Sequence, residues 1–368
     1  MKKYIALVCA LAAALSVLLT GCGSEYKDLE PRAEYDKSLE GTTLTVYNWG
    51  EYISDGADDT VDVNKEFEKL TGIKVDYIEF VSNETMYSQL VSGGINYDII
   101  IPSDYMIERL IKEDMLQTID TSKISNYDLI ADEYKKLFFD PEDQYSVPYN
   151  VGLVGIIYNE KLTGSDIEHS WKVLWDEKYK DMALNFNNPR DAFMTAQMIL
   201  GQDVNTLNKA DWDAAADLLK EGKANLQSYV MDEIYGKMET GEASVAPYYA
   251  GDYLTMYDTN EDLRFFYPEE GTNIFVDSIC IPKNAKNYEA ALMYINFLLE
   301  PDIATANAEY IGYASPNTAV INNEDYCYYQ NEILYPDEAD LPKVQYYHDI
   351  DEEIRTYYET LWSEVKLY

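Results

Sequence analysis

The chain has 368 residues, 47% of them hydrophobic, enough for two ordinary domains or one large one with a buried core. Its 67 acidic residues against 28 basic ones give a formal net charge of −39. That balance argues against a nucleic-acid partner, because phosphate contacts need lysine and arginine, and it suits a cationic one, although most of these charges serve solubility. The two histidines, His169 and His348, lie far apart and argue against a His-rich metal site or a Ser-His triad, while 35 tyrosines argue against disorder.

Lys2 and Lys3 precede an apolar run over 4–19, which is too short and wrongly flanked for a secure membrane span. Leu19-Thr20-Gly21-Cys22 follows at once. The segment reads as a lipoprotein signal peptide over 1–21, cut before an acylated Cys22; the alternative is an ordinary signal peptide that happens to contain a cysteine. Several acyl chains anchor firmly where one is marginal. Residues 22–42 then form a lipidated tether, polar and without a sustained period. The body lies outside the cytoplasmic membrane, where Cys280 and Cys327 either pair or stay as buried thiols.

From residue 43 strand and helix patterns alternate. LTVYNW (44–49) reads as a strand, 63–70 as a helix stopped by Thr71-Gly72, 73–80 as a strand, and 82–91 as a helix closed by Gly93-Gly94. YDIIIP (97–102) reads as a strand buried on both faces, and 105–116 as a helix. Further strands are expected at 151–159, 243–249 and 274–282, and helices at 188–200, 210–222, 288–300 and 301–310, the last opened by Pro301. The order predicts an α/β protein with parallel strands covered by helices. No Pro/Gly/Ser-rich linker separates the halves, so two lobes should be joined by crossing strands.

G-x-S-x-G, H-E-x-x-H, G-x-x-x-x-G-K-[ST] and C-x-x-C are all absent. What recurs is an aromatic beside an acid or amide near a strand end: Trp49, Glu51 and Tyr52 in VYNWGEY; Ser103, Asp104 and Tyr105 in PSDYM; Asn188 and Asp191 in NNPRDAF; Tyr248, Tyr249 and Asp252 in APYYAGDY; Phe275 and Asp277 in NIFVDS. Ligands of open α/β sheets sit outside the carboxyl ends of the strands. Singly, each cluster has an ordinary reading: Asp191 as a helix-start acid, Trp49 as core.

VYNWGEYI, TGIKVDY, SNETMYSQL, YDIIIPSDYM, YSVPYNVG, FVDSICIPKNA, INFLLEPDIA and IGYASPN, in this order, resemble the spermidine/putrescine-binding proteins of bacterial polyamine ABC transporters, from about residue 44 to the mid-330s. The resemblance implies a two-lobed, type II periplasmic-binding-protein fold, with 43–148 and 279–325 in one lobe, 149–278 and 326–368 in the other, and the ligand in the cleft between them. It implies ligand contacts by Trp49, Glu51, Tyr52, Ser103, Tyr105, Asn188, Asp191, Tyr249, Phe275, Asp277, Tyr313 and Gln345. Asn188 departs from the aspartate of many spermidine-preferring relatives, which leaves Glu51, Asp191 and Asp277 as the matched acids and sets putrescine beside spermidine as the ligand. Carboxylates would replace the hydration of the ammoniums and aromatic faces would cover the methylenes. The implied protein is a monomer without cofactor or enzymatic activity that delivers its ligand to a membrane permease. A binding protein for another small solute, or a lipid-anchored hydrolase, is the alternative.

Overall fold

The computed structural model describes residues 31–57, 60–337 and 343–368. The leader expected over 1–21, the expected acylation site Cys22 and the first part of the expected tether lie outside the described residues.

The chain opens with β1 (Thr43–Trp49), α1 (Val63–Thr71), β2 (Lys74–Phe80), α2 (Asn83–Ser92), β3 (Ile99–Ile100) and α3 (Asp104–Lys112). The helix ends follow local chemistry. The Asp62 and Ser82 side chains accept the backbone N–H groups of Lys65 and Thr85, and Gly72 and Gly93 close the two helices in the left-handed conformation. β3 is two residues long where six were expected. Ile99, Ile100 and Ile101 are buried as predicted, but the chain leaves the ladder at Pro102, which has no N–H to give.

β4 (Ser146–Asn159) starts five residues earlier than expected and runs for 14 residues. It passes Pro148 by shifting register between Pro148 and Asn150, a bulge that frees Tyr149 to donate its hydroxyl to the Tyr52 carbonyl at 2.9 Å. There follow α4 (Glu160–Thr163), β5 (Ala183–Phe186), α5 (Pro189–Ile199), α6 (Lys209–Gly222), β6 (Leu226–Val230), α7 (Glu233–Glu239), β7 (Val245–Tyr249), α8 (Ala250–Thr259), β8 (Leu263–Phe266) and β9 (Thr272–Cys280). The chain ends with α9 (Tyr288–Leu298), α10 (Pro301–Ile311), α11 (Thr318–Ile321), β10 (Val344–Gln345) and α12 (Glu352–Leu367).

The strands run in the order β2-β1-β3-β9-β4-β7-β5-β6. Parallel pairs fill each end: β1 with β2 and β3, and β5 with β6 and β7. Two long antiparallel strands join the ends. β4 pairs with β9 over Ser146–Leu153 and then with β7 and β8 beyond Val154. The two α/β halves are therefore joined by crossing strands, as the missing linker predicts. Each half has its own packed interior: Phe67 against Tyr294 and Phe297 in the first, Phe193 against Trp212 in the second.

The second part of the expected tether is docked on the first half. The buried Glu300 carboxylate accepts the backbone N–H groups of Arg32 and Ala33 and the hydroxyl of Tyr35, and Arg32 pairs with Asp128 at 2.7 Å. A buried carboxylate with this many donors is satisfied, so polar composition here marks a hydrogen-bonded strap rather than a loose leash. Cys280 is a free, buried thiol.

Candidate functional site

A cleft of about 1070 Å³ opens between the halves. Trp49 reaches it from the end of β1, Glu51 and Tyr52 from the turn that follows, and Ser103 and Tyr105 from the start of α3. Asn188 and Asp191 come from the start of α5, Tyr249 from the end of β7, Phe275 and Asp277 from β9, and Tyr313 from the turn after α10. Gln345 is not brought to the cleft. It lies on β10, and its side chain accepts the Val204 N–H at 3.2 Å and donates to the Gln202 carbonyl at 3.4 Å.

The turn after β1 needs an unusual backbone. Glu51 has φ 53°, left-handed and costly for a residue with a side chain. In that conformation its carboxylate accepts the Tyr310 hydroxyl at 3.2 Å, and Tyr52 turns inward. Tyr52 donates to Asp277 at 2.6 Å and meets Tyr313 edge to face at 5.4 Å. Trp49 packs on Phe80 at 4.5 Å, and Phe275 on Tyr249 at 5.5 Å.

Nine carboxylates line the cleft, with the Arg190 guanidinium as the one cationic side chain among the described lining residues. The acids are held chiefly by tyrosine. Asp191 accepts Tyr347 on one oxygen at 2.9 Å, and Tyr249 and the Asn188 amide on the other at 2.7 and 2.9 Å. Asp252 accepts Tyr235 on one oxygen and Tyr313 on the other. Asp232 accepts Tyr248 at 3.3 Å. A phenol fixes a carboxylate without cancelling its charge, as a lysine or arginine would. The arrangement thus keeps negative charge in a desolvated cleft and offers it to whatever enters.

The cost appears in the titration of the acids. Burial raises Asp277 to about 6, opposed by the Tyr52 hydrogen bond and the nearby Ser103 hydroxyl, and raises Asp252 to about 6 against the hydrogen bonds from Tyr235 and Tyr313. Burial also raises Asp191, opposed by Tyr249 and Tyr347, and raises Asp104 well above its ordinary value. Asp277 Oδ1 is buried and accepts no hydrogen bond. A buried acceptor with no donor is the natural mate of an N–H group on a ligand.

Several lining residues fall outside the sequence-derived set. Asp252 was visible in APYYAGDY, one turn past Tyr249. Tyr235, Tyr310, Arg190 and Tyr347 carried no local signal that separated them from the other tyrosines and charges. Among the described residues no group of three or more His, Cys, Asp or Glu side chains could hold a metal ion, and no helix is long and apolar enough to cross a membrane.

Residues 95–335 match the family model of bacterial extracellular solute-binding proteins. The spermidine/putrescine-binding periplasmic protein of Salmonella typhimurium is 35% identical over 328 residues, 89% of this chain and 92% of the relative. The putrescine-binding periplasmic protein of Escherichia coli is 31% identical over 301 residues, covering 77% and 80%. Among solved structures, a putative spermidine/putrescine ABC transporter protein from Listeria monocytogenes superposes with a TM-score of 0.83 at 36% identity, covering 89% of this chain and 99% of that one. A two-lobed α/β body, a cleft where its halves meet and this extent of similarity lead to one conclusion: the chain belongs to the bacterial extracellular solute-binding proteins, with their type II fold.

Proposed function

We propose that this protein captures a polyamine, putrescine or spermidine, outside the cytoplasmic membrane and presents it to the permease of an ABC importer. The carrying observation is the cleft itself: carboxylates fixed by neutral hydroxyls, one of them with a free buried oxygen, between aromatic walls. Ammonium groups replace lost hydration with charged hydrogen bonds to Asp191, Asp277 and Glu51. The faces of Trp49, Tyr249 and Phe275 cover the methylenes, and each cation–π contact contributes ~0.5–2 kcal/mol. Several ionised acids facing a neutral sugar would lose hydration without compensation. The names of the relatives from Salmonella and Escherichia coli support the same ligand class.

The protein performs no chemistry in this reading and acts as a monomer. Residues 43–148 and 279–325 move as one lobe, and 149–278 and 326–368 as the other. Tyr326 buried against Ala304 and Ala308 carries the first lobe somewhat past 325. A ligand that touches both lobes stabilises the closed form, which is the means by which it drives closure. Acylated Cys22 keeps the body at the membrane.

Calorimetry on the chain lacking its leader and Cys22, with putrescine, spermidine and a neutral sugar, tests the reading. The expected result is micromolar or tighter binding, about −8 kcal/mol or better, to at least one amine and none to the sugar. Absence of binding to both amines overturns the polyamine assignment and leaves the family standing.

A further inference from the structure

The end of the cleft at Asp191 is closed by a residue of the C-terminal segment. Tyr347 is 4% exposed and lines the cleft. Its hydroxyl donates to Asp191 Oδ1 at 2.9 Å, and its ring meets Tyr105 of the opposite half at 6.1 Å and covers the Arg190 guanidinium at 4.4 Å. The segment is fastened on both sides of it. β10 pairs with β9, Asn205 bonds the backbone at Tyr346 and His348 at 2.8 and 2.7 Å, and the Asp349 N–H donates to Glu108 on α3 at 2.8 Å. The backbone that carries the ring is therefore held in place, and the ring is kept over this end of the cleft by its bond to Asp191 and its contacts with Tyr105 and Arg190.

A carboxylate offers about four acceptor positions. At Asp191 Tyr347, Tyr249 and Asn188 take three of them, leaving room for one donor. At Asp277 Tyr52 takes one position, and Oδ1 is free. Asp191 can thus accept one terminal ammonium. Beyond it stand two tyrosine rings and a guanidinium, and the neutral Asn188 beside it adds no charge.

Resting on the polyamine reading, the geometry points to Tyr347 as a specificity-determining residue: it seals the Asp191 end of the cleft and denies that end to a third ammonium. The missing carboxylate at position 188 is then not sufficient to explain ligand choice. Restoring it leaves the seal in place.

Putrescine and spermidine affinities, measured by calorimetry on the wild type, Asn188→Asp, Tyr347→Ala and the double variant, test this. The ratio of spermidine to putrescine affinity should change little in Asn188→Asp. It should rise about tenfold or more in the double variant, the size of effect that one added contact in a shaped pocket supplies. Tyr347→Phe, which keeps the ring, should retain the wild-type ratio and guards against a folding defect in the alanine variants. A tenfold rise in Asn188→Asp alone, or an unchanged ratio in the double variant with folding intact, overturns the role of Tyr347. Failure of the wild type to bind either amine overturns the polyamine reading, and this inference with it.

Discussion

At Asp277 one carboxylate oxygen accepts the Tyr52 hydroxyl and the other accepts nothing. An ammonium placed there gains a charged hydrogen bond to an acceptor that is already buried. Asp277→Asn should therefore weaken polyamine binding by ~2–3 kcal/mol, roughly 30- to 150-fold, with little change in melting temperature. Titration calorimetry checks this, and an unchanged dissociation constant removes Asp277 from the site. Burial has also set the acidity of the cleft. Asp277 and Asp252 stand at about 6, above the ~3.9 of a free aspartate. Between about pH 4 and 6 the unfolded chain has released protons that the empty cleft still holds, so these two groups make the empty protein less stable as pH rises through that window. Ligand binding runs the other way, because an ammonium needs the ionised form. Affinity should fall as pH drops from 7 to 5, with protons released on binding. Titrations in buffers of different ionisation enthalpy would reveal that release, and a pH-independent affinity would contradict it.

At the level of elements the site depends on β4 and β9 lying against each other with Gly152 opposite Phe275. A Cβ built on Gly152 would stand 2.1 Å from Phe275 Cζ. Phe275 is part of the cleft wall and touches Tyr249 and Tyr313. Gly152→Ala should destabilise the fold by ~1–3 kcal/mol and weaken ligand binding as the phenyl ring is pushed into the cleft. Thermal denaturation and calorimetry measured together would show both losses, whereas a stable variant with full affinity would mean that the ring has another place to go. This contact also shows where sequence reading runs out. The strands that carry Trp49, Tyr249 and Asp277 were legible from their periodicity, and quoted motifs placed eleven of the twelve expected ligand residues on elements that do meet at the cleft. Gln345 was misplaced because the two-residue strand that carries it has no period to read, and its neighbour Tyr347 is what reaches the cleft. The short strands β5, β6 and β8 went unseen for the same reason. That Asp252 finds two tyrosines depends on chain segments far apart in sequence, which no local pattern encodes.

For the molecule as a whole, the question is what holds the two halves together before a ligand does. Tyr313, from the turn after α10 in the first half, donates to Asp252 on α8 in the second. Gly251 and Gly312 let the backbones approach: a Cβ on Gly251 would lie 2.2 Å from the Tyr313 ring and 2.9 Å from the Gly312 carbonyl. This bond spans the halves on its own, so it biases the open–closed equilibrium independently of the ligand. Apparent affinity is intrinsic affinity reduced by the fraction of competent protein. Removing one hydroxyl hydrogen bond costs ~1 kcal/mol, so Tyr313→Phe should lower polyamine affinity by up to about fivefold. It should do so by enlarging the open population, which small-angle scattering would register as a greater radius of gyration without ligand and the wild-type value at saturation. If Tyr313→Phe weakens binding while the ligand-free scattering stays unchanged, the hydroxyl acts on the ligand rather than on closure. If both stay unchanged, the bond contributes nothing, and the crossing strands set the equilibrium together with other contacts between the halves, such as the Asp349 N–H on Glu108. The first pattern would make the tyrosines of this cleft serve two ends at once, fixing the acids for a cation and fixing the lobes for one another.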